Sequence, residues 1–97
     1  MKKTFASDST MAITWRGGEG QLAAQGSFGS GTLTLEYSLD AGSTWTLLES
    51  DPASSLSAAG SFAFRSMRTD DTDYMLRLSL TGSTSPSINA KIGDNLN

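Results

Sequence analysis

Acid–base chemistry in this chain would fall to its carboxylates, because its 97 residues include neither histidine nor cysteine. The usual base near neutral pH and the commonest strong nucleophile are therefore both missing. A zinc site loses its preferred ligands for the same reason. A glycosidase-type pair would have to come from Glu36, Glu49 and the aspartates, and no spacing among them singles out two partners. The run Asp70-Asp71-Thr72-Asp73 offers the oxygens a calcium ion wants but lacks the Asp-x-Asp-x-Asp-Gly spacing that wraps a loop around the metal. It reads as a solvated acidic loop. The inventory predicts no catalytic residue, no metal, no cofactor, and a protein that is not an enzyme.

Charge points the same way. Ten acidic residues outweigh seven basic ones for a net charge of −3. The cations are spread as Lys2, Lys3, Arg16, Arg65, Arg68, Arg77 and Lys91, with no stripe to meet a phosphate backbone, so nucleic acid is not an expected partner. Arg65, Arg68 and Arg77 would be the cations to gather near the acidic loop and face an acidic partner; the plainer reading is solvated surface charge. The start has the lysines of a signal-peptide n-region without an apolar segment after them. No stretch approaches the ~20 apolar residues of a membrane helix. These features predict a soluble protein made in a cytoplasm, with no membrane partner.

The elements that must position any site are strands. Residues 32–49, TLTLEYSLDAGSTWTLLE, form two alternating runs around a polar turn: Leu33, Leu35 and Tyr37 on one face, then Trp45 and Leu47 after Asp40-Ala41-Gly42-Ser43. The two-residue period and the turn chemistry predict a β-hairpin. Further runs place Met11, Ile13 and Trp15, then Leu22, Ala24 and Phe28, then Phe62 and Phe64, then Tyr74, Leu76, Leu78 and Leu80, then Ile88, Ala90 and Ile92, each on one face. Gly26 interrupts its run, as a bulge or bend would. Residues 50–60 are a small-residue connection long enough to cross between sheets, and residues 82–86 turn the chain back. The expectation is a single domain over residues 1–97, all-β, an antiparallel β-sandwich of about seven strands in immunoglobulin-like or jelly-roll order. Residues 1–9 read as an N-terminal arm and 93–97 as a polar tail.

The sharpest motif is Ser38-Leu39-Asp40-Ala41-Gly42-Ser43-Thr44-Trp45. Asp40 can accept turn amides, Gly42 can take positive φ, Thr44 can tie the turn and Trp45 can cover the hairpin base. The segment resembles the Asp-box, S/T-x-D-x-G-x-T-W, of sialidases and other β-propeller proteins, matched at Ser38, Asp40, Gly42, Thr44 and Trp45. In those families the box is a structural hairpin away from the active site, so the resemblance implies a structural turn. A propeller would need several times this length.

At a larger scale TLTLEYSLDAGSTWTLL, GSFAFR and LRLSLTGSTSPSINAKIG resemble small β-sandwich structural proteins of tailed bacteriophages. The phrase is carried by Tyr37, Ser38, Asp40, Gly42, Thr44 and Trp45 and by residues 76–87. The resemblance implies a virion component, a capsid decoration or cement protein on the outside of the shell. Its partners would be the major capsid protein and its own copies, as a homo-oligomer such as a trimer. Two other readings stand beside it: a tail or fibre module binding host saccharide through Trp15 or Trp45, and a non-catalytic carbohydrate-binding or adhesion domain.

Overall fold

The computed structural model describes residues 2–15, 18–48, 54–67 and 72–94. Among the described residues nine strands follow one another: β1 (Lys2–Phe5), β2 (Ser9–Thr14), β3 (Gly18–Ser27), β4 (Thr32–Ser38), β5 (Thr46–Leu47), β6 (Ser55–Leu56), β7 (Gly60–Ser66), β8 (Met75–Thr81) and β9 (Ser87–Asp94). They make two antiparallel sheets, one in the order β1-β9-β3-β7 and the other β2-β8-β4-β5, with β6 also paired to β4. The fold is an all-β sandwich, with more strands than the seven expected. The increase has two sources: β1 arises where an arm was expected, and the small-residue connection over residues 50–60 contributes β6.

The strand order chooses between the two sandwich types. β1 pairs with β9, β2 with β8, β3 with β7, and β4 with β5 and β6. That nesting describes one long antiparallel ribbon, closed at β4–β5 and rolled up so that β9 also meets β3 and β8 also meets β4. Outside the β4–β6 segment, every connection changes sheet. This is jelly-roll order. The turn after β8 therefore does not fold β9 back beside it, as a hairpin would; it carries the chain across to the other sheet. The crossing expected between residues 50 and 60 occurs between β6 and β7.

Alternation fixes what fills the space between the sheets. Ile13, Leu22, Ala24, Phe28, Leu33, Leu35, Phe64, Tyr74, Leu76, Leu78, Leu80, Ile88, Ala90 and Ile92 are all buried. These are the inward positions that period two selects, because neighbouring residues on a strand face opposite ways. Phe5 joins them with no exposed surface. The segment read as an arm thus contains an edge strand, paired in register from Lys2 opposite Lys91 to Phe5 opposite Ile88.

Two devices close the ribbon. Leu35, between β5 and β6, has its N–H accepted by the Ser54 carbonyl at 2.9 Å. Its carbonyl accepts the Leu48 N–H at 3.0 Å and the Ser54 hydroxyl at 2.9 Å. The strand edge is so covered where neither short strand reaches, as a buried backbone group requires. At the other end the Asp8 carboxylate accepts the Gly82 and Ser83 N–H groups at 3.0 Å each, and the Ser83 hydroxyl. This fastens the β1–β2 corner to the β8–β9 crossing.

Candidate functional site

Ser38, Asp40, Gly42, Thr44 and Trp45 come together at the closed end of the ribbon. Ser38 ends β4 and is buried, so its hydroxyl faces the turn that follows. It donates to Asp40 Oδ1 at 2.7 Å and accepts the N–H groups of Asp40 at 3.2 Å and Gly42 at 2.8 Å. Asp40 Oδ1 in turn accepts the Thr44 N–H at 2.8 Å. Gly42 sits at φ 98°, and Ala41 before it at φ 59°, so the turn uses two left-handed residues where the sequence pointed to one. Ala41 donates its N–H to the Asp73 carbonyl at 3.0 Å, tying the turn to the segment that leads into β8.

Trp45 does more than cover the hairpin base. The Arg77 guanidinium lies 4.6 Å from its ring centre, and Arg77 Nε and Nη2 donate to Glu36 Oε1 at 2.9 and 2.7 Å. Glu36 and Arg77 stand opposite each other on β4 and β8, with side chains only 20% and 24% exposed. A sugar stacking on Trp45 would compete with Arg77 for that ring face or use the other. Trp15 packs against Phe64 at 5.5 Å. Arg65 and Arg77 do not gather: Arg65 lies on β7 in the other sheet and pairs with Glu19 at 3.0 Å. Arg16, Glu49, Arg68, Asp70 and Asp71 lie outside the described residues.

The turn is expected to fail when its hub is removed. Ser38→Ala leaves the Asp40 and Gly42 N–H groups without the buried hydroxyl that accepts them and should cost about 1–3 kcal/mol, read as a lowered thermal midpoint. An unchanged midpoint would mean that the Ser38 hydroxyl does not hold the turn.

The carboxylates also set an acid limit. The Ser38 hydroxyl, then the Thr44 amide and hydroxyl, hold Asp40 below the ordinary value of 3.8. The Ser83 hydroxyl and amide, helped by the Gly82 amide, do the same to Asp8. A carboxylate harder to protonate when folded stabilises the fold fully above its unfolded value and loses that contribution as pH falls through the lowered folded one. Denaturation midpoints should hold above pH ~4 and fall below it, and an Asp8→Asn, Asp40→Asn variant should show a flatter acid limb.

A second feature was not visible from sequence. The outward residues of the β1-β9-β3-β7 sheet form two rows. Lys2, Lys91, Ala23 and Ser61 run across all four strands, and Thr4, Asn89 and Gln25 run beside them. Over them lies a concavity of about 650 Å³, also lined by Lys3. Ala23 and Ser61 give its floor room. Thr4 donates to Asn89 Oδ1 at 3.0 Å, which leaves the Asn89 amide hydrogens free to face outward. Each lysine is isolated in the sequence or belongs to the supposed arm, so only the β1–β9 register could have shown them together.

No protein-family model matches this chain. No curated protein matches it either. Among solved structures it is similar to one described as "Crystal structure of PirA", with a TM-score of 0.48 and 12% identity over 97% of this chain and 84% of that one.

Proposed function

We propose that this chain is a structural protein of a tailed-phage virion, a decoration protein that binds the outside of the assembled shell through the major capsid protein and its own copies. The observation that carries the reading is the resemblance of three segments to small phage sandwich proteins. These segments fall on the β4–β5 hairpin, on β7, and on β8 with β9, so they span both sheets of one jelly roll. Jelly rolls serve in viral capsids and also in lectins, which makes the architecture compatible with the reading without naming it.

The topology supplies attachment surfaces. β1 and β7 edge one sheet and β2 edges the other, and an edge strand carries backbone groups able to pair with a neighbour. A protein that binds only the assembled shell stabilises that state by mass action. Counting copies in purified virions tests the proposal. A number comparable with the major shell protein is expected, and a few copies per particle would place the chain elsewhere.

A further inference from the structure

We propose that the outer face of the β1-β9-β3-β7 sheet is a binding site for an acidic oligosaccharide, with the ligand's anionic group between Lys2 and Lys91. The proposal is independent of where the protein resides.

Three observations carry it. First, Lys2 and Lys91 occupy directly opposed positions on neighbouring strands, where side chains lie about 5 Å apart and like charges repel. Both are exposed, and neither forms a salt bridge among the described residues. Lys3, on the opposite face of β1, holds its ammonium 5.5 Å from the Phe5 ring centre, so the cations that face the cavity are Lys2 and Lys91. Among the described residues, none with a carboxylate belongs to this lining, although the chain has a surplus of acidic residues. An anion arriving there would remove the repulsion and gain two ammonium donors.

Second, the remaining lining is hydroxyl and amide: Thr4, Gln25, Ser61 and Asn89. These groups both donate and accept, which suits the paired donor and acceptor character of sugar hydroxyls. Among the described residues no large apolar side chain lines the cavity, so they offer no anchor of the kind that seats a peptide side chain. Third, the cavity extends over the face of the sheet, across strands whose ladder groups already bond each other. Recognition there must use side chains, not strand addition. Its volume lies in the range that encloses a small ligand.

The test is titration of the full chain at low ionic strength with oligogalacturonate, a heparin fragment, neutral dextran, inorganic phosphate and polyglutamate, followed by amide chemical shifts. At least one of the two acidic glycans should bind, displacing the signals of Ala23, Gln25, Ser61 and Asn89, and added salt should weaken it. A Lys2→Gln, Lys91→Gln variant should lose about tenfold or more in affinity, whereas Arg65→Gln, outside the cavity, should not. The lysine variant should melt no lower than the parent, since it removes a like-charge pair, and this separates lost binding from lost fold. The two glycans distinguish carboxylate from sulfate as the recognised group. The proposal is overturned if neither glycan binds, if dextran, phosphate or polyglutamate binds as tightly, or if the lysine variant binds as well as the parent.

Discussion

Replacing Phe5 with alanine is expected to destabilise the protein by about 3–5 kcal/mol, the range for emptying an aromatic site in a closed core. The position looks peripheral in the sequence: a lone large apolar residue among polar neighbours, five residues from the start. In the fold its ring is fully buried with Ile88 opposite, and among the described residues β1 pairs with no strand other than β9. Four residues of edge ladder hold little by themselves, so the ring is what fastens β1. Its removal both opens a cavity and frees the strand. Phe5→Leu should lose much less, about 1.5 kcal/mol or under, because most of the volume survives. Urea denaturation of both variants checks this, with hydrogen exchange at Lys3 and Thr4 reporting whether β1 detaches before the rest. A loss for Phe5→Ala below ~1 kcal/mol would restore the arm reading, since a surface truncation has effects of that size.

The same residue shows where the sequence stops being legible. Period two marks the inward side chains of β2, β3, β4, β7, β8 and β9, because each run has at least two apolar positions of one parity. β1 has only two inward positions, and one of them is Lys3. One apolar residue defines no period, and Ile88, which would supply the missing context, is far along the chain. The turn at residues 82–86 fails differently. Its Gly, Ser and Pro chemistry correctly signals a reversal, but a reversal within a sheet and a crossing between sheets use the same residues. Which occurs is decided by pairing at long range, β9 with β1 and β3, and local chemistry carries no record of it.

The candidate sites divide along the same line. The Ser38 to Trp45 turn was legible because the hydrogen bonds made by its side chains join residues at most four apart, so the motif contains its own geometry. The stacking of Arg77 on Trp45 was not, since it depends on β8 lying beside β4. The lysine-lined face is the extreme case. Lys2 and Lys91 are far apart in the sequence, and only the nested pairing of a jelly roll makes them neighbours.

Gly26→Ala should be at least as damaging as a core truncation, although the residue is exposed. Gly26 lies inside β3 opposite Ile88, at φ 121°, a backbone state that L side chains rarely adopt. A Cβ built there falls 2.0 Å from the Ser87 carbonyl oxygen. A flexible side chain could move aside, but a ladder carbonyl moves only with its strand. The φ strain contributes about 1–3 kcal/mol and the overlap a similar amount. The cost falls on the β3–β9 ladder, which joins Gly20 to Ser27 with Ser87 to Asp94 and completes the roll. The expected result is a loss of about 2–6 kcal/mol in equilibrium denaturation. D-alanine at the same position, introduced by chemical synthesis, adds the same methyl group on the other Cα substituent position and favours positive φ. It should cost far less and, by restricting the unfolded chain, could recover about 0.4–1 kcal/mol. Equal losses for the two stereoisomers would show that the site rejects any side chain. A loss confined to the L form would identify the left-handed backbone at Gly26 as what lets β3 pass beside β9.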